Sequence, residues 1–218
     1  MTKPVRILVV GLGHMGQSHA KAYHALEGFE IVGLMSRTAA SYGDRLAPEL
    51  RAYPLFEDFA AALRATRPDA VSINSWPDTH AALALQAMDA GCHVFVEKPL
   101  ATTVADAEAV VAKATALGRK LVLGYILRVH PAWTRLVEVG RTLGKPLVMR
   151  MNLNQQSSGA QWQVHKQLMN SISPIVDCGV HYVDVMCQVT GAMPKSVHAI
   201  GVRLTDEVGP EMYNYGQL

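Results

Sequence analysis

The sequence predicts a doubly wound α/β domain, a parallel sheet covered by helices on both faces, followed by a partial α+β domain with a mostly antiparallel sheet. Three observations carry this. Over the first 124 residues short apolar runs alternate with stretches of helical spacing. Those runs are continuous rather than alternating, as in strands buried on both faces. After Gly124 the apolar pattern changes to period two, as in a strand with one wet face. The domain boundaries are set at 1–124 and 125–218.

Taken in order, the predicted strands of the first domain are 6–10 (RILVV), 30–35 (EIVGLM), a brief 51–53 (RAY), 70–74 (AVSIN), 93–97 (HVFVE) and 120–124 (KLVLG). Helical spacing occupies 14–27, 38–47, 56–65, 78–90 and 103–117. Gly28, Gly91 and Gly118 stand where helices should stop, and Thr102 or Thr103 can cap the last helix with Asp106 in its first turn. In the second domain a helix is expected from Pro131 to Gly140 and another across 173–190. Strands are expected at 146–154 and 195–204, with the start of a third in EMYNYGQL. The final segment ends in mid-pattern, so a C-terminal truncation is expected.

Half of the residues are hydrophobic, 17% are charged and the net charge is +2, with both signs interspersed. That composition belongs to a globular chain and gives no basic face for nucleic acid. No run approaches the roughly 18–20 apolar residues of a membrane span. Three scattered cysteines, Cys92, Cys178 and Cys187, make neither a disulfide framework nor a zinc site, which fits a reducing cytoplasm. His14, His19 and His24 recur every five residues and so scatter around a helix, which argues against a metal site.

The chemistry begins at Gly11-x-Gly13-x-x-Gly16, which follows a strand and opens a helix. This is the Rossmann dinucleotide fingerprint: a tight turn at Gly11, close approach of backbone to pyrophosphate at Gly13, and close helix packing at Gly16. With His14 and Met15 between them, these residues are assigned to the cofactor, whose phosphates would meet the free N–H groups of the helix start. The second strand closes with Ser36-Arg37-Thr38 where NAD enzymes usually carry an acidic residue. Arg37 can pair with a 2′-phosphate and Ser36 or Thr38 can hydrogen-bond it, so NADP is the expected cofactor and NAD the alternative. Stacking of Arg37 on adenine, or exposure to water, is the competing role.

The fifth strand ends in Glu97-Lys98-Pro99. Carboxyl ends of parallel strands line the ligand crevice, so Lys98 is directed at the nicotinamide. Glu97, ending an apolar strand, needs a partner and helps to fix Lys98. Further on, Asp177 and His181 are four apart and would share a helix face, with Asp184 three beyond. A carboxylate beside an imidazole suits removal of a hydroxyl proton.

GLGHMG, VSINSWPDTH, EKPL and DCGVHYVD, in this order and at these separations, resemble the glucose–fructose oxidoreductase/inositol dehydrogenase family, Gfo/Idh/MocA, along essentially the whole chain. The resemblance implies an NAD(P)-dependent dehydrogenase or reductase acting on a sugar, cyclitol or related small molecule. It makes Lys98, Asp177 and His181 the catalytic residues. His181 would take the hydroxyl proton as hydride passes to nicotinamide C4, Lys98 would stabilise charge on the substrate oxygen, and Asp177 would help bind substrate. It also assigns Asn74, Ser75, Trp76, His80, Glu97, Lys98, Tyr125 and Arg128 to the cofactor. Packing is the alternative for His80 and surface charge the alternative for Arg128. Trp162, His165 and Lys166 would touch substrate. The chain departs from the family in carrying Ser171-Ile172-Ser173-Pro174 where many members have a Gly-Gly stretch, which bears on substrate identity more than on reaction class.

Two other function classes stay open on sequence alone. One is an NAD-dependent glycoside hydrolase of the same fold, and the other is a non-catalytic nucleotide-binding protein. A homo-oligomer formed through the C-terminal sheet is expected, with no metal, nucleic-acid or membrane partner.

Overall fold

Six apolar segments form one parallel sheet: β1 (Val5–Val10), β2 (Phe29–Met35), β3 (Leu55–Phe56), β4 (Ala70–Ile73), β5 (His93–Val96) and β6 (Leu121–Leu123), in the order β3-β2-β1-β4-β5-β6. The structure, a computed structural model, describes residues 3–154 and 157–218. It divides into two units, Met1–Gly124 and Tyr125–Leu218, described separately below. In the first, strand order reverses between β1 and β4. Connections leave such a switch point in opposite directions, so a crevice opens at the carboxyl ends of those two strands.

The continuous apolar runs are explained by burial from both sides. In β1, Ile7, Leu8, Val9 and Val10 are 2%, 0%, 0% and 1% exposed. Ile7 and Val9 pack with Leu12, Ala20, Ile31 and Leu34, whereas Leu8 and Val10 pack with Val71, Ile73, Val94 and Val96. The covering helices are α1 (His14–Ala25), α2 (Phe59–Thr66), α3 (His80–Asp89) and α4 (Val104–Ala116). Asp58 caps α2 by accepting from Ala61 N at 2.7 Å, and Thr103 caps α4 by accepting from Asp106 N at 3.1 Å. Such caps each contribute about 1 kcal/mol. The C-terminal end of α2 turns at Arg67 (φ 42°), and the Arg6 guanidinium donates to the carbonyls of Thr66 and Arg67, both at 2.7 Å.

Two local expectations fail here. The helix expected at 38–47 is instead a series of single 3-10 turns, Ala39–Ser41, Gly43–Arg45 and Pro48–Leu50. Gly43 adopts a positive φ of 39°, and Pro48 has no N–H to extend a helix, so the pattern is interrupted from both ends. The third strand lies at Leu55–Phe56 and not at 51–53. Pro54 O accepts from Leu34 N (2.9 Å) and Phe56 O from Ser36 N (3.0 Å), so the chain reaches the sheet only after Pro54.

The second unit contains α5 (Pro131–Gly140), α6 (Gly159–Leu168), α7 (Val180–Thr190) and an antiparallel pair, β7 (Ile200–Val202) with β8 (Tyr215–Gln217). Val137, Val185 and Val189 form its small core, packed by Leu127, Trp133, Leu147, Met149 and Met151. The segment 146–154 keeps its alternation only as far as Met151, with Leu147, Met149 and Met151 inward, Val148 98% exposed and Leu153 exposed, and it forms no strand. A strand needs a neighbour to complete its ladder, and among the described residues this segment has none. The expected strand 195–204 contracts to β7, α6 lies where no helix was expected, and the expected helix at 173–190 begins with a π-helical turn, Ile175–Gly179. No helix among the described residues is long and apolar enough to cross a membrane.

The tightest constraint in the first unit lies where α1 meets the turn after β1. A Cβ on Gly16 would fall 1.7 Å from Gly11 O, against backbone that cannot retreat, while one on Gly13 would meet nothing within 4 Å. In urea denaturation Gly16→Ala is expected to lose about 1–3 kcal/mol or more. Gly13→Ala should stay within about 1 kcal/mol of the parent.

Candidate active site

The residues that leave the strands form a continuous row along the carboxyl edge of the sheet. Ser36 N donates to Phe56 O, Gly11 N to Met35 O, Asn74 N to Val10 O, Glu97 N to Ile73 O and Gly124 N to Val96 O, all between 2.7 and 3.0 Å. The sheet ladder thus runs one residue past the strands. It holds candidates distant in sequence, Gly11, Ser36, Asn74 and Glu97, side by side.

At the switch point Gly11 has φ +84°, and a Cβ there would lie 2.5–2.7 Å from the backbone of Asn74 and Ser75. Only glycine fits both the turn and the contact. Gly13 is the N-cap of α1 and provides no side-chain cap, and the first turn has no acidic residue. The first intrahelical N–H bond belongs to Gln17, which donates to Gly13 O at 3.0 Å. The exposed segment Gly13–Met15 therefore offers open space and helix-start N–H groups together. This cradle fits a pyrophosphate. At the end of β2, Ser36 Oγ lies 3.5 Å from Thr38 Oγ1, and Arg37 and Thr38 are exposed.

Behind the turn sits a buried polar network that sequence reasoning missed. Asn74 Nδ2 donates to Ser72 O and Ser72 Oγ, both at 3.1 Å, and Tyr23 OH donates to Ser72 Oγ at 3.3 Å. Burial pushes the Tyr23 phenol above its ordinary value, opposed by the bond to Ser72 and reinforced by the charge of Glu97. Asn74 Oδ1 is buried with no hydrogen-bond partner among the described residues, so an acceptor is left at the crevice. Ser75 Oγ pairs with Thr79 Oγ1 at 2.6 Å, Trp76 is half-buried, and Trp76 O accepts from Thr79 Oγ1 at 2.7 Å. His80 is 1% exposed, with Nδ1 2.7 Å from Pro99 O and Nε2 3.1 Å from Ser75 O. Its ring ties the loop after β4 to the loop after β5.

Glu97 is 6% exposed and finds the partner that its position demanded. His19 Nε2 lies 2.8 Å from Oε1, and Lys98 N donates to Oε2 at 3.2 Å. Lys98 itself is half-buried. The signal for His19 was its position three residues after Gly16, on the helix face that packs on the sheet.

In the second unit, Asp177 lies in the π-helical turn and His181 in the first turn of α7. The simple helical spacing drawn for this stretch is therefore corrected: a π-turn holds more residues than an α-turn and shifts their angular positions. The edge of the Tyr125 ring faces His181, with centroids 6.0 Å apart. Arg128 donates to Asp184 from Nε and from its terminal nitrogen, Gln188 Nε2 donates to the same carboxylate at 2.8 Å, and the guanidinium lies over the Tyr125 ring. Burial raises the Tyr125 phenol above its ordinary value and the Asp184 charge adds to this, while Arg128 opposes it. The bond to Asp184 raises the guanidinium in turn. Asp177, Trp162, His165 and Tyr182 border one broad concavity of about 1770 Å³ in this unit. Trp162 Nε1 and Lys166 Nζ both donate to Glu207, at 2.7 and 3.2 Å, and hold its carboxyl below the usual range. Among the described residues no cluster of side chains could hold a metal ion.

Comparison with known proteins agrees with this architecture. Residues 5–125 match the model of the Gfo/Idh/MocA oxidoreductase family, NAD-binding Rossmann fold, and residues 134–218 match a Gfo/Idh/MocA C-terminal domain. The UDP-N-acetylglucosamine 3-dehydrogenase of Acidithiobacillus ferrooxidans is 32% identical over 200 residues, covering 91% of this chain and 58% of the relative. Its solved structure has a TM-score of 0.72 at 31% identity, over 95% of this chain and 64% of that one. The inositol 2-dehydrogenase of Acidiphilium cryptum is 33% identical over 84% of this chain and 53% of its own length. A 3-ketoreductase from Actinomadura kijaniata, solved in complex with TDP-benzene and NADP, gives a TM-score of 0.56 at 26% identity, over 63% of this chain and 43% of that one. The chain spans little more than half the length of the two dehydrogenases. With both of its units matched in sequence order, the chain belongs to the Gfo/Idh/MocA family, and its first unit is that family's NAD-binding Rossmann domain.

Proposed function

We propose that the chain carries the site of an NAD(P)-dependent dehydrogenase or reductase that interconverts a hydroxyl and a carbonyl on a sugar, cyclitol or related small molecule. One observation carries this reading: Lys98 follows a buried, fully engaged Glu97 on the same strand edge as the glycine turn. A bound nicotinamide would supply the hydride acceptor or donor. The Lys98 ammonium hydrogen-bonds the reacting substrate oxygen and offsets the negative charge that develops there. His181 holds or takes the hydroxyl proton, and Asp177 binds substrate beside it. Tyr125 and Arg128 are assigned to the nicotinamide side of the site. The first unit is the cofactor domain. The second, with its narrow β7–β8 ribbon, supplies substrate contacts and the surface for a homo-oligomer, since an open sheet edge favours association. The names of the two dehydrogenases, which concern a nucleotide sugar and a cyclitol, support the substrate class.

NADP is the preferred cofactor on this reading, because Ser36, Arg37 and Thr38 present a cation and two hydroxyls where a carboxylate would repel a 2′-phosphate. Fluorescence titration should show a lower Kd for NADPH than for NADH. Arg37→Ala should narrow that difference by about tenfold or more, the range of one charge-assisted bond. Tighter binding of NADH to the parent chain overturns the preference. Gly13→Ala, which leaves the fold intact, should weaken both cofactors by filling the space open to the pyrophosphate.

Turnover is tested with a panel of sugars and polyols, following the absorbance of reduced nicotinamide. Lys98→Ala and His181→Ala should each lower kcat by roughly 100- to 10,000-fold with cofactor affinity retained. Unchanged turnover in either variant removes that residue from the site.

A further inference from the structure

We propose that His19, a residue of the phosphate-binding helix, is a positioning residue for Lys98 and acts through the carboxylate of Glu97. The inference rests on the functional reading above and extends it to a side chain outside the fingerprint. Both oxygens of Glu97 are engaged by different partners: Oε1 lies 2.8 Å from His19 Nε2, and Oε2 accepts from Lys98 N at 3.2 Å. A carboxylate held this way cannot rotate without giving up one bond. The site is built to admit it. Glu97 is 6% exposed, and a Cβ on Gly124, just past β6, would lie 3.0–3.2 Å from the carboxyl atoms, so the glycine leaves the carboxylate room that a side chain there would narrow. His19 is itself braced, its ring centroid 4.8 Å from that of Phe95 on β5.

Fold stability alone does not explain the pair. Well-packed apolar side chains usually serve a buried site as well as or better than a buried polar pair does. What the pair adds is direction. Glu97 is the first residue beyond β5, where the ladder ends and the backbone would otherwise be least constrained. On the other flank His80 Nδ1 lies 2.7 Å from Pro99 O. Lys98 thus stands between two residues, each tied to an imidazole, His19 partly buried and His80 fully so. Displacement of a catalytic group by about 1 Å can cost on the order of 100-fold in rate, so support of this kind matters to an amine that must meet a substrate oxygen.

The test uses the whole chain and three substitutions. His19→Phe keeps the ring against Phe95 and removes the N–H. His19→Gln returns a donor near the position of Nε2. Glu97→Gln keeps the shape and removes the charge, and it supplies the answer if His19→Phe does not fold. Acetylation of individual lysines by acetic anhydride is followed by peptide mass spectrometry, with Lys113 and Lys120 as references in the same unit. In His19→Phe and Glu97→Gln, Lys98 should label about threefold faster or more relative to both references, and His19→Gln should return it to within about twofold of the parent. In turnover His19→Phe should lower kcat about tenfold or more with KM within about twofold. Equal Lys98 labelling in the parent and His19→Phe overturns the proposal. So does a parallel rise at Lys98, Lys113 and Lys120, which marks general loosening. A parent chain that binds neither NADPH nor NADH refutes the functional reading instead, and the labelling comparison still decides whether His19 holds Lys98.

Discussion

The first unit depends on the contact of bare backbone at Gly16 with Gly11 O, where even one methyl group would sit at 1.7 Å. Because α1 can come this close, its start lies against the switch point between β1 and β4. Its inner face is thereby lowered onto the sheet, so that His19 reaches Glu97 and Tyr23 reaches Ser72. A helix displaced outward by one side chain would lose both contacts together. The third glycine of the fingerprint therefore does more than let the helix pack closely. It places the polar side chains of α1 in register with the ends of β4 and β5.

Those polar side chains occur where an apolar core would be expected, and their positions follow a rule. Ser72, Asn74 and Glu97 are buried at or just beyond the carboxyl ends of β4 and β5, and buried His80, the first residue of α3, bonds to the loops that follow both strands. Leaving a buried carboxylate unpaired costs several kcal/mol, and a lone buried amide or hydroxyl about 1–3 kcal/mol. Such groups persist only where partners are supplied, and here α1 and the loops supply most of them. The exception is Asn74 Oδ1, an acceptor without a partner among the described residues, beside the turn whose open space suits a dinucleotide. A ligand donor or a water molecule would complete it.

How much was legible in the sequence follows from where each signal resides. The strands of the first unit were readable because burial on both faces writes itself as uninterrupted apolar runs. The switch point was readable because three glycines at fixed spacing answer to three separate steric demands. Positions 38–53 misled because apolar spacing was weighed without the interruptions at Gly43 and Pro48. In the second unit the alternation of 146–154 marks an inward face at Leu147, Met149 and Met151 but not at Leu153, which is exposed. Whether such a segment becomes a strand is decided by a hydrogen-bonding neighbour, which local sequence does not reveal. His19 and Ser72 were illegible for a similar reason. Their meaning lies in contacts spanning 78 and 49 residues.

The stretch 177–184 shows how the local backbone can divide roles among like residues. Spacing alone offered two carboxylates to one imidazole, Asp177 from one side and Asp184 from the other. The fold commits Asp184 to Arg128 and Gln188, with its side chain only 10% exposed, which makes it an anchor for the loop after β6. That loop carries Tyr125, whose ring in turn faces His181. Asp184 thus bears on the imidazole through a guanidinium and a phenol. Asp177, by contrast, sits in the π-helical turn, half-buried and bordering the concavity of its unit. The wider turn costs regular helical hydrogen bonding and is commonly kept where a side chain must be re-aimed for function. Of the two carboxylates, Asp177 therefore borders the concavity of its unit, and Asp184 is tied to the loop that carries Tyr125 beside His181.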